Sequence, residues 1–263
     1  MNRTALGLAV LLAAAPVKAD DGWQLVWADE FDGAALNTGD WRIIEGNGCP
    51  THCYFGNNEL QTYTKATENL RVEDGVLVIE AKGAGKEFTS AKITTQNREG
   101  WTYGRFTMRA RLPKGRGTWP AFWMMPDKAS YGPWPKSGEI DLMEHVGYDE
   151  GKVHGTIHTE AYNHRIGTQK GGNMVVENAT EDFHEYSAEW TETDIRWYID
   201  GREYYSVTKA DSDGHAEWPL DHPFHLILNL AVGGDWGGSQ GVDDTAFPTR
   251  YEIDWVRVWQ KKD

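Results

Sequence analysis

An all-β, jelly-roll sandwich of two antiparallel sheets is the fold this sequence predicts, and three features predict it. Period-two alternation of apolar and polar residues dominates the chain. Asp-Gly pairs divide β-rich runs where hairpin turns are needed. No long stretch shows a helical period, and 29 glycines suit an architecture rich in turns. A sandwich of this size can curve and leave one face as a concave cleft.

In chain order, the first element is not part of the sandwich. Residues 1–19, MNRTALGLAVLLAAAPVKA, carry Arg3 near the start, an apolar run from Ala5 to Val17 and a small-residue site ending at Ala19. This pattern predicts a secretory signal peptide, and its apolar run is too short to span a bilayer. No later segment is long and apolar enough to be a membrane helix. Residues 20–263 then fit a single domain.

Residues 1–19 hold Arg3 and Lys18 and no acid, so the formal charge of −14 becomes −16 without them. A surface this acidic repels nucleic acid and anionic lipid, and leaves a neutral polymer as an acceptable partner. Cys49 and Cys53 lie four apart in GNGCPTHCYFG. In a secreted chain, a local disulfide pinning this loop is the leading reading, since His52 alone is weak support for a metal site.

The strands follow. In RVEDGVLVIEA and RWYIDGREYYSV, Asp74-Gly75 and Asp200-Gly201 mark hairpin turns of the primed types. Phe106, Met108, Ala110 and Leu112 share one face of a run whose other face holds Arg105, Thr107, Arg109 and Arg111, as a half-buried strand requires. Further strands are predicted at 90–95, 117–125, 138–146, 154–159, 184–192, 223–232 and 251–260.

SGEIDLMEHVG, at 137–147, holds three carboxylates within six residues: Glu139, Asp141 and Glu144. On a regular strand Glu139 and Asp141 share a face and Glu144 points away. One bulged residue between Asp141 and Glu144 would return the third acid to the first two, with a Glu139 to Glu144 backbone span of roughly 13 Å. Glycoside hydrolysis needs one protonated and one ionised carboxyl group, set about 5–5.5 Å apart in a retaining enzyme. Like charges packed this closely retain a proton among them and titrate as a unit. The same cluster also reads as a calcium site or a solvated acidic edge.

Trp119 and Trp123, in GTWPAFWMMP, lie four apart on a predicted strand and so face the same way. Thirteen tryptophans are present, and core packing accounts for many of them. This pair reads either as core or as a platform for the apolar faces of sugar rings.

GEIDLMEHVG resembles the signature of glycoside hydrolase family 16, in the Glu-x-Asp-x-x-Glu form of its laminarinase-like endo-1,3-β-glucanases. Lichenases and xyloglucan-modifying members typically lack the extra residue. The likeness extends through WADEFDG at Trp27, GNNELQTYT at Gly56, YGRFTMRARLPKGRGTWPAFWMMP at Tyr103, HGTIHT at His154, EYSAEWTETDIRWYIDG at Glu185, LNLAVGGDWGG at Leu228 and YEIDWVRVWQ at Tyr251. The resemblance implies a bent jelly roll with substrate in its concave cleft. It implies Glu139 as nucleophile, Asp141 as the residue that tunes it, and Glu144 as acid and then base. Trp119 and Trp123 would stack sugars on the non-reducing side, where Asn58, Glu59 and Arg105 would bind hydroxyls, and His158 would lie beside the acid/base. By their own residue types, Arg105 also reads as a solvated strand arginine, Asn58 as a turn former and His158 as a structural histidine. Trp236 and Gln240 lie in a glycine-rich loop that could border the cleft. Family members often hold a structural calcium ion, and Glu30, Gly75 and Asp254 match those places. The Cys49 to Cys53 loop departs from the family's short approach to the Asn-Asn-Glu block.

The expectation is a secreted, monomeric, retaining endo-β-1,3-glucanase that acts on laminarin-like glucan and needs no cofactor for catalysis. Its alternatives are a mixed-linkage 1,3-1,4-β-glucanase, or a hydrolase of another polysaccharide such as agarose. A non-catalytic glucan-binding protein would be expected to lose the acids that this chain keeps. The covalent intermediate is also compatible with transglycosylation.

Overall fold

The computed structural model describes residues 22–262, so the expected signal peptide lies outside the described residues. The strands are β1 (Trp23–Asp29), β2 (Arg42–Ile44), β3 (Gln61–Tyr63), β4 (Leu70–Glu73), β5 (Val76–Ala84), β6 (Glu87–Ser90), β7 (Lys92–Thr94), β8 (Gly104–Arg111) and β9 (Thr118–Pro126). They continue as β10 (Glu139–His145), β11 (Lys152–His158), β12 (Lys170–Val175), β13 (His184–Trp190), β14 (Asp194–Ile199), β15 (Arg202–Thr208), β16 (Phe224–Val232) and β17 (Thr249–Lys261). Only short 3-10 turns interrupt them among the described residues, and none is long enough to cross a membrane.

The strands form the two-sheet sandwich. The outer sheet runs β15-β14-β13-β8-β17-β5-β6-β3, with β1 beside β17 and β4 beside β5; the inner sheet runs β12-β11-β10-β9-β16-β7-β2. All pairings are antiparallel except β3 with β6. The alternation in β8 holds: Phe106, Met108 and Ala110 are fully buried, as are Phe122 and Met124 of β9 and Leu226, Leu228 and Leu230 of β16. These side chains meet between the sheets, which leaves the opposite faces of β9, β10 and β16 to build the cleft. Asp74 and Gly75 have φ of 54° and 79°, and Asp200 and Gly201 have 50° and 76°, so both turns take the left-handed pair that Asp-Gly supplies.

Two expectations are corrected. The predicted strand at 90–95 is a change of sheet: β6 ends at Ser90 in the outer sheet and β7 starts at Lys92 in the inner one. Ala91, fully buried, makes the corner, and Ser90 Oγ donates to Leu230 O at 2.6 Å. β12 is not among the predicted strands, and it contains Gly171 and Gly172. They are glycine for space: a Cβ on Gly172 would lie 2.5 Å from the Tyr205 ring.

β17 is bulged at Asp254, where Ile253 pairs with Leu77 of β5 and Val256 with Asp29 of β1. The register thus gathers Glu30, Gly75 and Asp254, the set expected for calcium, at one end of the outer sheet. Their oxygens suit that ion in kind. Each acid, however, already holds a guanidinium: Glu30 accepts from Arg257 at 2.8 Å through both oxygens, and Asp254 pairs with Arg109.

Candidate active site

β10 carries the three acids, and it contains the bulge. Asp141 pairs with Trp123 and Met143 with Phe122, so Leu142 has no partner on β9. On the other side Asp141 pairs with Thr156 and Glu144 with His154, again one residue too many. Leu142 and Met143 consequently both face the core, at 2% and 0% exposure. Glu139, Asp141 and Glu144 all line a cleft cavity of about 440 Å³. The parity mismatch in the sequence is therefore resolved by one extra residue turned inward.

The cleft controls the protons. Burial pushes the Asp141 carboxyl well above the usual range, and the Glu139 charge and a hydrogen bond with Glu139 raise it further. Burial likewise pushes Glu144 well up, with the Asp141 charge adding to it and a hydrogen bond from Trp119 opposing it. That bond runs from Trp119 Nε1 to Glu144 Oε1 at 2.9 Å and leaves the other oxygen to carry a proton. Trp134 Nε1 donates to Glu139 Oε2 at 2.7 Å and so orients that carboxylate. His158 pairs in register with Glu139, and its Nε2 lies 3.3 Å from Asp141 Oδ2 and 3.9 Å from Glu139 Oε1. The arrangement offers one oriented carboxylate, one carboxyl group that retains a proton, and a third acid bridging towards the first.

The floor is a buried polar chain. Trp123 Nε1 donates to Asn229 Oδ1 at 2.7 Å, and Asn229 Nδ2 donates to Tyr63 Oη at 3.1 Å. Glu59 accepts from Gln61 Nε2 at 2.6 Å, from Asn57 Nδ2 at 3.2 Å and from Tyr63 Oη at 3.5 Å. Such a satisfied network locks the Trp123 ring at a fixed angle. Lys92 Nζ lies 4.8 Å from the Trp123 ring centre and 5.0 Å from that of Phe55. Burial lowers the Lys92 pKa, while the charges of Glu59 and Glu139 oppose the change.

The structure gathers most of the predicted residues and displaces others. Trp119, Trp123 and Glu59 line the cavity as expected. Trp236 is not among the cavity residues, but packs edge-on against Trp119, with ring centres 5.5 Å apart. Cys49 and Cys53 form the disulfide, and His52 and Phe55 of that loop reach the cavity wall. Arg105 is a correction: it lies on β8 of the outer sheet, bonded to Glu189 at 2.8 Å and 4.9 Å from the Trp23 ring centre, away from the cleft. Asn58 is displaced too. Its φ of 56° turns it outward to Asp235 at 2.8 Å, and Asn57 lines the cavity in its place. His158 sits beside the expected nucleophile rather than beside the acid/base, whose register partner is His154. Gln240 is exposed and not among the cavity residues.

Trp134, His164 and Arg165 also line the cavity, and the sequence reading missed them. For Trp134 a signal existed: an aromatic residue between two prolines, five positions before Glu139. His164 and Arg165, in a loop after β11, carry no such mark.

Residues 56–257 match the family described as glycosyl hydrolases family 16. The chain is 50% identical over 278 residues to a β-glucanase of Rhodothermus marinus, covering 99% of this chain and 95% of that one. The X-ray structure of the laminarinase from Rhodothermus marinus matches with a TM-score of 0.86 at 49% identity, covering 92% of this chain and 98% of that one. The non-specific endo-β-1,3(4)-glucanase SCLam matches with a TM-score of 0.86 at 43% identity, over 94% of this chain and 95% of that one. A mutant of SCLam was co-crystallised with 1,3-β-D-cellotriosyl-glucose.

Proposed function

This chain belongs to glycosyl hydrolase family 16, and on that premise we propose that it is an endo-β-1,3-glucanase of laminarinase type, retaining, secreted and monomeric. The observation that carries the reading is the bulge at Leu142, which sets three acids on one cleft face. Glu139, held by Trp134, attacks the anomeric carbon while Glu144 gives its proton to the departing glycosidic oxygen. A glycosyl ester on Glu139 results. Glu144, now ionised, takes a proton from water, and the resulting hydroxide displaces the sugar from Glu139. Asp141, protonated by its burial, donates towards Glu139 and falls back to this contact when the ester breaks. Trp119 and Trp123 supply flat apolar surfaces for the sugar rings.

Glu139→Gln tests this: laminarin hydrolysis is abolished while laminarin binding persists, and full residual activity refutes the assignment. Reducing-sugar release from laminarin and curdlan, run beside lichenan and agarose, separates the 1,3 reading from its alternatives. The likeness to the non-specific 1,3(4)-glucanase favours mixed-linkage glucan as the second substrate. Retention predicts that the first product formed is the β-anomer. A structural calcium ion at Glu30, Gly75 and Asp254 belongs to the same proposal, with Arg257 and Arg109 giving way to it.

A further inference from the structure

We propose that Trp197 is a positioning residue for the catalytic bulge: from the outer sheet, its indole N–H fixes the backbone carbonyl of Asp141, and Gly155 lacks a side chain so that the indole can reach it.

A bulge interrupts the ladder, and a buried carbonyl left without a partner is costly. Asp141 is the last residue in register before the shift on both sides of β10. Its carbonyl accepts from Trp197 Nε1 at 2.9 Å. Trp197 lies on β14, fully buried, so this bond crosses from one sheet to the other. Gly155 is the second observation. On β11 it sits between Thr156, which pairs with Asp141, and His154, which pairs with Glu144. A Cβ there would lie 2.4 Å from Trp197 Cδ1, 2.6 Å from Nε1 and 2.7 Å from Tyr204 Oη. Since Gly155 is not among the positive-φ glycines, space is the requirement it meets.

The consequence is functional because the anchored peptide carries Asp141 and leads to Glu144. If that peptide rotates, the angle between the tuning acid and Glu139 changes, and Glu144 turns with it. The charged and titratable groups facing this pair are Glu139, His158, His164, Lys92 and Tyr204. Of these, Tyr204 Oη lies on the core side beside the Trp197 indole, 2.7 Å from the same Cβ position on Gly155, so the Trp197 substitutions are also made in a Tyr204→Phe background, which removes the neighbouring donor.

The inference rests on the function proposed above, and the test separates the two. Trp197→Phe keeps the ring and removes the donor. The benzothienyl isostere of tryptophan at 197 removes the N–H with almost no change of shape, and guards against misfolding. Both are expected to lower kcat on laminarin roughly 10- to 100-fold, with KM within about two-fold of wild type. The alkaline limb of the pH profile shifts by about half a unit or more. Gly155→Ala is expected to give the same signature by pushing the indole away. Trp190→Phe is the control, a buried core tryptophan of the same sheet at 1% exposure, and it leaves kcat and the limb unmoved. Titration of the labelled Asp and Glu carboxyl carbons by NMR reads the same displacement without any substrate, so an inactive wild type would sink the proposed function and not this inference. Wild-type kcat, limb and carboxyl titration in the isostere, or equal changes in Trp190→Phe, overturn it.

Discussion

Acidifying the protein from pH 7 to pH 4 removes about 3 kcal/mol of stability through one side chain, His145. It follows Glu144 on β10, is fully buried, and accepts from Gly151 N through Nε2 at 3.0 Å. Burial pushes its pKa from 6.5 down to about 4; the charges of Glu150 and Asp149 oppose this, and His154 adds to it. The folded state therefore resists a proton that the unfolded imidazole accepts. The contribution is complete above pH 6.5, declines as pH falls through the window, and is gone below about pH 4. At 1.36 kcal/mol per unit, a depression of about 2.5 units gives about 3 kcal/mol. For a domain of this size that is about 6–12 °C in Tm. Asp141 and Glu144 act in the opposite sense, since a raised carboxyl pKa adds stability as pH falls. The measurement must therefore be differential: urea unfolding of wild type and His145→Gln across pH 4–8. Gln is neutral and its amide oxygen can accept from Gly151 N, so the variant loses less stability over the window. Parallel curves for the two proteins would refute the reasoning.

Three more outcomes follow from the site. Trp119→Phe keeps an aromatic ring but removes the donor to Glu144, an interaction with a charged acceptor worth about 1.5–3 kcal/mol. Glu144 then stays protonated to higher pH, and the alkaline limb of kcat/KM moves up by about one unit; a limb that moves down contradicts the assignment of the acid. Deleting Leu142 should leave the three acids on one face of a regular strand, because their spacing becomes even. Glucan hydrolysis survives at a stability cost of about 2–5 kcal/mol for the lost core side chain, measured by denaturant titration beside reducing-sugar release. If calcium binds at Glu30, Gly75 and Asp254, calcium at a hundred times its Kd adds about 2.7 kcal/mol, or roughly 5–11 °C by calorimetry. An unchanged transition with calcium or chelator removes the site.

The sequence carried the sandwich and the catalytic strand because both are written in side-chain parity. Alternation in β8 identified its buried face, and the failure of alternation between Asp141 and Glu144 identified the bulge; for β9 it showed that Trp119 and Trp123 share a face without saying which face is buried. Parity cannot say which sheet a strand joins. The resemblance implied sugar binding for Arg105 while its residue type also read as a solvated strand arginine, and its strand lies in the outer sheet, against Glu189 and Trp23. Nor does it register backbone reversals: the left-handed turn at Asn58 hands its expected place to Asn57. Lys92, Tyr63 and Asn229 escaped notice because each looks like an ordinary strand residue, and they become a site only when β3, β7 and β16 come together beneath Trp123. Ser90 to Thr95 read as one strand because a buried alanine at the corner keeps the β-rich pattern going through a change of sheet.

The extra residue at 142 does more than restore parity. In an unbulged strand the Asp141 carbonyl would be held by its neighbours in the same sheet, and the acids would depend on that sheet alone. With the bulge, the carbonyl is held by Trp197 from the other sheet, and two consecutive side chains, Leu142 and Met143, are driven into the core between the sheets. The catalytic strand is thereby fixed from behind as well as from its sides. A shift of one sheet over the other would first be felt at Asp141, the acid whose proton is shared with Glu139. Core substitutions beneath Leu142 and Met143, at positions that touch no sugar, should therefore alter the pH profile before they alter substrate affinity. Substitutions of equal size behind β5 or β6, far from the bulge, should lower stability alone.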